Sequence, residues 1–415
     1  MSGAGSPIVE CRGRASRSWR AVVIMLAAAL AACTGTFNPG DLLSAGQPAP
    51  PGAPGNGPPQ PGAPAPLPAG GVRVGLILPL SAGGNAGAAG QAMRRAAEMA
   101  LAEFNASNIQ LLTKDDAGTA AGAETAARQA IDEGAEIIIG PLFANAVTNV
   151  RQVARGRGVP VIAFSNDTSA AAPGVYLLSF LPQTDVDRVI DYAISEGKRS
   201  FLGFVPTNGY GSVVEGAFRR AVARRGGRVM AVERYAESRG KIEEAARLLA
   251  PAASGAEALF MPDSGEPLGD AAAAFAAAGI NLSQYALLGS QLWEDPKIFA
   301  NPALDGGWYP GPDPEGFRAF AERYRARNGG ADPPRPAALA YDAVALVAAL
   351  VKTQPPRQRF ASETLTNPSG FSGIGGVFRF RRDGTNERGL AILQVTPVGG
   401  QVIAPAPRGF GPSGI

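Results

Sequence analysis

The sequence predicts an α/β protein made of two doubly wound, mostly parallel-sheet lobes. Three observations carry that expectation. Residues 72–81 (VRVGLILPLS) form an apolar, β-branched run that reads as a buried parallel strand, and a Gly-rich turn and a long helical pattern follow it. Apolar runs of strand length then alternate with helical stretches. The pattern restarts near residue 187, which specifies a second lobe.

In chain order, Pro79, Leu80 and Ser81 end the first strand, and Gly83, Gly84 and Asn85 form a turn. A helix over about 86–104 places Met93, Ala97, Leu101 and Phe104 on one face. Strands follow at 108–114, 136–139, 159–164 and 175–180, with helices at about 119–133 and 144–155. The second set starts with a helix near 187–196 and a strand at 201–205. A helix follows Tyr210-Gly211-Ser212, and strands recur at 228–232, 256–261 and 285–288. The tail adds helices at 314–327 and 336–352, then strands at 376–380 and 390–396. An Asp383-Gly384 turn between these last two is a hairpin signal. In sheets of this kind ligands sit beyond the carboxyl ends of the strands, facing helix N-termini.

The 415 residues suffice for two well-buried cores, and the formal charge is +3. Arg12, Arg14, Arg17 and Arg20 against Glu10 place that excess ahead of residue 33, leaving the remainder balanced. A balanced chain without a dense basic cluster excludes nucleic acid as a partner. Histidine is absent, which removes Ser-His-Asp and Cys-His catalysis and every His-based metal site. No cofactor and no metal are expected. The two cysteines are Cys11 and Cys33, so no disulfide is expected once the leader is removed.

Residues 1–32 read as a signal segment, with an apolar run at 21–32 behind an Arg-rich start and too short to span a bilayer comfortably. The run ends in Leu30-Ala31-Ala32-Cys33, which resembles a bacterial lipobox and implies an acylated Cys33 that anchors the chain to a membrane. Thr34, where sorting habit would place Asp for inner-membrane retention, points to the outer membrane. Residues 33–71 hold Cys33 and a Pro/Gly/Ala-rich tether that cannot bury a core. At roughly 3 Å per residue in the polyproline form, its reach approaches about 100 Å.

The segments VGLILPLS, IIIGPLFAN, VPVIAFSNDTS, TNGYGSVVEGAF, LFMPDSGE and ALAYDAVALVAAL occur in an order and spacing similar to the type I periplasmic binding proteins. The nearest branches are the leucine and branched-chain amino-acid binders and the penicillin-binding protein activator lipoproteins. The resemblance spans about 72–403 and implies two lobes joined by a three-crossing hinge, with crossings near 181–184, 289–313 and 353–367. It divides the chain into a first lobe (72–183), a second (184–300), a return to the first (301–360), a return to the second (361–403) and a flexible tail (404–415).

The same resemblance implies a ligand cleft between the lobes, fed by loops 80–85, 142–145, 165–168 and 291–293 and by Tyr210 and Asp263. Its candidate ligand-binding residues are Ser81, Asn145, Ser165, Thr168, Tyr210, Asp263 and Trp293. The family's hydroxyl after the third strand is missing from Phe143-Ala144-Asn145. Its Thr after the fourth strand matches Thr168, but Asp167 adds a carboxylate beside it. Tyr210 matches the family's aromatic, and Asp263 its ammonium-binding acid. Half of an amino-acid grip is thus retained, and the altered half disfavours a free carboxylate. Tight binding of a simple free amino acid is not expected. Other roles stand beside these: Ser165 or Thr168 as helix caps, Asp263 as a turn residue, and Trp293 as a packing aromatic. Tyr341 and Asp342 read most simply as structural.

Asp167 and Asp263 could form a two-carboxylate hydrolase, but no nucleophile elbow, phosphate loop or metal cage accompanies them, and no enzyme is expected. The expected function is non-catalytic capture of a small amino-acid-like or peptide-like solute for an ABC permease. The alternative is activation of peptidoglycan synthases (penicillin-binding proteins) by protein contact, with a muropeptide as the corresponding small ligand.

Overall fold

The computed structural model describes residues 67–410, residue 69 excepted. The signal segment, Cys33, most of the tether and residues 411–415 lie outside the described residues, so the expectations placed on them are carried by sequence alone.

In the first lobe β1 (Val72–Leu78), β2 (Ile109–Asp115), β3 (Ala135–Ile139), β4 (Val161–Ala163) and β5 (Val175–Leu177) form a parallel sheet in the order β2-β1-β3-β4-β5. Helices α1 (Gly84–Glu103), α2 (Ala120–Asp132) and α3 (Ala144–Arg157) follow the first three strands. The Thr119 hydroxyl caps α2 by accepting the Gly122 N–H at 3.0 Å, which sets where that helix starts. The second lobe opens with α4 (Pro182–Ser195), β6 (Ser200–Pro206), α5 (Gly209–Arg224), β7 (Arg228–Tyr235) and α6 (Arg239–Ala253). It continues through β8 (Ala258–Phe260), α7 (Gly265–Ala277), β9 (Ala286–Leu288), α8 (Pro296–Phe299) and β10 (Trp308–Gly311).

The tail returns through α9 (Pro314–Arg327), α10 (Arg335–Thr353), α11 (Ser362–Leu365), β11 (Phe371–Gly373), β12 (Gly376–Phe380) and β13 (Asn386–Arg388), then β14 (Ala391–Thr396) and β15 (Gly399–Ala404). Helix α10 is long and apolar enough to cross a membrane by composition, yet most of it is buried in the first lobe's core, where it packs along α1. The second lobe's sheet runs β15-β14-β10-β9-β8-β6-β7. Strands β6 to β10 are parallel, and the β14–β15 hairpin joins antiparallel at β10.

Five expectations are corrected. Residues 301–311 stay with the second lobe, because β10 pairs with β9 and β14 there. Residues 361–388 remain with the first lobe: Leu365, Phe378 and Phe380 sit in its core, and the Asn386 amide donates to the carbonyls of Leu177 and Ser179. The second crossing lies at Pro312–Asp313, inside the expected 289–313, but the third lies at Gly389–Leu390 rather than at 353–367. The Asp383-Gly384 turn joins β12 to β13 rather than to residues 390–396, since the chain leaves the first lobe before β14 begins. Residues 405–410 do not hang free: the Phe410 ring lies 4.5 Å beneath the Arg379 guanidinium.

Candidate functional site

Both sheets point the carboxyl ends of their parallel strands at loops that carry the predicted polar residues. In the first lobe, Ser81 follows β1 and is exposed, and its backbone N–H and hydroxyl bond Asp115 at the end of β2. Burial raises the Asp115 carboxyl, but bonds from Ser81, Ala117 and Leu80 outweigh it and hold the group below its ordinary range. Asn145 lies exposed in the first turn of α3, its Oδ1 accepting the Ala146 N–H at 2.8 Å. Ser165 is buried after β4 and accepts the Asp167 N–H at 3.1 Å. The capping role nearby falls to Asp167, whose carboxylate accepts the Ser169 N–H at 2.9 Å. Thr168 keeps its hydroxyl for Gln183, whose amide donates to it at 3.0 Å across the first crossing.

In the second lobe the first turn of α5 carries Tyr210. Asn208 Oδ1 accepts the Gly211 N–H at 2.7 Å, and a Cβ at Gly211 would overlap the Pro206 carbonyl, so only glycine fits beside Tyr210. The Tyr210 hydroxyl donates to Ser290 Oγ at 2.8 Å. Burial pushes its phenol well above the ordinary value; the Ser290 bond opposes this, and the carboxylates of Asp185 and Asp263 add to it. Asp263 follows β8 and is only 7 % exposed. Its Oδ2 accepts the Tyr235 hydroxyl at 2.5 Å and its Oδ1 the Ser264 N–H at 2.7 Å. Both oxygens of the matched acid are thus engaged by the protein itself.

Trp293 does not line a cleft. Its indole is fully buried in the second lobe's core and donates to the Met261 carbonyl at 2.9 Å, and a Cβ at Gly289 would overlap the ring. The packing reading replaces the ligand-platform reading because a ring pressed against glycine backbone on two sides has no face left for a ligand. Tyr341 is structural, its hydroxyl donating to Glu103 at 2.6 Å.

Sequence reasoning missed four partners of these residues, three around Tyr210 and Asp263 and one at Thr168. Ser290 follows β9 as the other candidates follow their strands, so the same strand-end signal could have found it. Tyr235 ends β7 and reads from sequence as a plain apolar position. Asp185, in the first turn of α4, accepts the Gln291 N–H at 3.3 Å. Gln183 starts the same helix. Among the described residues, no group of three or more His, Cys, Asp or Glu side chains converges as a metal site.

The sequence matches a family model for periplasmic binding proteins over residues 71–401. No curated protein matches the chain. A Rhodospirillum rubrum protein named as a candidate branched-chain amino acid ABC transporter superposes with a TM-score of 0.71 at 21 % identity, covering 80 % of this chain and 100 % of that one. An ABC transporter substrate-binding protein from Desulfitobacterium hafniense in complex with Leu gives 0.59 at 16 % identity, over 80 % and 99 % of the two chains. A solute-binding protein of an ABC transporter from R. palustris in complex with benzoate gives 0.53 at 19 %, over 83 % and 99 %. At these identities the likeness is one of fold, and it is the fold built above: paired α/β lobes, each reached more than once by the chain. Because the family model also runs through nearly all of the two-lobed region, the chain belongs to the periplasmic binding proteins of the type I fold.

Proposed function

We propose that this chain is a non-catalytic solute-binding protein of the ABC-transporter type, working on the periplasmic side of the cell envelope. It captures a small amino-acid-like or peptide-like solute between the lobes and is held to the membrane, by its sorting residue the outer membrane, through a lipidated Cys33. One observation carries the reading. The loops and first helical turns after β1, β3 and β4 hold Ser81, Asn145, Ser165 and Thr168, and those after β6, β8 and β9 hold Tyr210, Asp263 and Ser290. Such strand ends are where open α/β sheets bind ligands.

The engaged carboxylate of Asp263 refines the ligand class. An ammonium would have to share Asp263 with the Tyr235 hydroxyl and the Ser264 N–H, so free amino acids bind weakly and ligands with hydroxyls, amides or an aromatic face for Tyr210 bind better. The benzoate complex of the R. palustris protein is an instance of this fold holding a ligand without an ammonium.

The same observation supports a second reading, in which the cleft stays empty and the chain activates peptidoglycan synthases through its outer surface. Thermal-shift measurements against amino acids, aromatic acids and muropeptides separate the two. A tight ligand at a hundredfold excess over its Kd stabilises by about 2.7 kcal/mol. No shift from any of these, with a class A synthase recovered by pull-down from envelope extract, would replace solute capture by activation. Submicromolar leucine or valine binding would overturn the ligand class.

A further inference from the structure

All three inter-lobe crossings converge on one buried cation. Arg388 ends β13 just ahead of the third crossing and is 4 % exposed. Its Nε donates to the carbonyl of Ser179, and its guanidinium lies 4.3 Å over the Phe180 ring, both at the entry to the first crossing. A Cβ placed on Gly375 would sit 3.2 Å from Arg388 Nη1 and 3.4 Å from both Phe180 and Pro312, so the second crossing meets the same point.

Two carboxylates act electrostatically on this guanidinium, one from each lobe. Asp342 comes from α10 of the first lobe and is 3 % exposed; its Oδ1 accepts the Ile374 N–H at 2.8 Å. Asp185 comes from the first turn of α4 in the second lobe and is 6 % exposed; its Oδ2 accepts the Gln291 N–H. Asp342 Oδ2, Asp185 Oδ1, and Nη1 and Nη2 of Arg388 are buried without a hydrogen-bond partner. Four unsatisfied polar atoms at a hinge mark an arrangement that can improve by moving. One guanidinium neutralises one carboxylate, not two, so the acids compete for it.

From Asp185 the contacts continue into the candidate site. Asp185 holds the backbone of Gln291, the adjacent Ser290 accepts from Tyr210, and Tyr210 neighbours Asp263.

We propose that Arg388 is a positioning residue for ligand capture. By leaning toward Asp342 or Asp185 it sets the angle between the lobes, and through Asp185 and the Ser290–Gln291 backbone it aligns Tyr210 at the cleft. The consequence for the cleft rests on the solute-binding reading above; the consequence for lobe angle does not.

Burial pushes both carboxyls up to about 7, against the opposing pull of Arg388 and of their backbone bonds. Charged side chains nearby are otherwise engaged. Glu387 pairs outward with Arg379 and Arg381, Asp187 pairs with Arg224, and Arg188 donates to the Leu390 carbonyl. Tyr210 and, behind it, Asp263 are the other titratable groups that act on this cluster. The competition between the acids therefore changes as pH passes through about 7.

The experiment reads lobe angle on the full chain without ligand. Spin labels are placed at Gln129→Cys on α2 and Leu248→Cys on α6, both exposed, with Cys11 and Cys33 changed to Ser. Pulsed dipolar distances are then recorded on both sides of pH 7. The parent distribution shifts with pH. Arg388→Met broadens it and removes the pH response, and Arg388→Lys restores both. Asp185→Asn and Asp342→Asn, close in shape to the parent side chains, each remove the response and decide the matter if Arg388→Met fails to fold. A parent distribution unchanged by pH, or one matched by folded Arg388→Met or both Asn variants, would overturn the proposal. Absence of any cleft ligand would overturn only the capture reading.

Discussion

Replacing Tyr235 by Phe removes one atom from a sealed contact and leaves the surrounding packing in place. The Tyr235 ring stacks on Phe204 at 4.5 Å between centroids and 24° between planes, and both features survive the change. What is lost is the 2.5 Å hydrogen bond to Asp263 Oδ2, on a carboxylate only 7 % exposed. A hydrogen bond to a buried charge contributes about 1.5–3 kcal/mol, against about 0.5–1.5 kcal/mol for a neutral pair. Tyr235→Phe should therefore cost about 2 kcal/mol, while Tyr210→Phe, which breaks a neutral bond to Ser290, costs about 1 kcal/mol. Intrinsic fluorescence in urea is the natural assay. Of the three tryptophans, Trp19 precedes Cys33, and Trp293 and Trp308 both lie in the second lobe with Tyr235, so the signal reports on that lobe. Equal losses for the two variants, or a loss under about 0.5 kcal/mol for Tyr235→Phe, would refute the argument that Asp263 depends on its phenol partner. The same variant frees Oδ2 and should strengthen leucine binding in calorimetry relative to the parent.

Trp293→Ala should destabilise the second lobe by about 3–5 kcal/mol in the same urea assay, since the indole is fully buried. Gly289→Ala drives a methyl into that indole and should cost about 1–3 kcal/mol by overpacking; a neutral result would mean the ring can step aside. Glu215 is pushed up by burial but held below the ordinary carboxyl range by Arg234 and Arg219, at 2.6 Å and 2.9 Å. Its contribution is present above the unfolded carboxyl pKa and is lost as pH falls through the lower folded value. The stability gap between parent and Glu215→Gln should thus shrink on acidification, and, with both arginines more than half exposed, shrink further with salt. Cys33→Ser should move the protein from the membrane fraction to the aqueous fraction of fractionated cells.

Much of the architecture is legible in the chain because strand-to-helix alternation is a local pattern. The run 72–78 is apolar at nearly every position because helices cover both faces of its sheet, and the edges of α1, α2 and α9 follow from local turns and caps. The interleaving of the lobes is not local. Residues 308–311 contain a proline and a glycine and follow Gly306-Gly307, so they read as linker, and only β9 and β14 on either side make them a strand. Likewise, nothing in residues 376–388 marks which lobe they cover; that depends on Phe380 meeting Tyr176 from two hundred residues earlier, with Phe378 packed against Phe380 in the same core. At the site, residue types at strand ends pick out Tyr210 and Asp263, because a loop there faces open space. The pairing of Asp263 with Tyr235 and the meeting of Asp185, Asp342 and Arg388 rest on side chains from distant segments, which no spacing rule encodes.

Phe378 and Phe380 in the first core, and β14 and β15 along the second sheet, come from the last stretch of the chain. Neither half can close its core until that stretch arrives, so an emerging polypeptide stays open through most of its synthesis. A chain bound for export needs that delay, because a channel passes extended polypeptide and stalls on finished domains. Moving the closing strands to the front by circular permutation should make the second sheet assemble early and slow the protein's passage out of the cell.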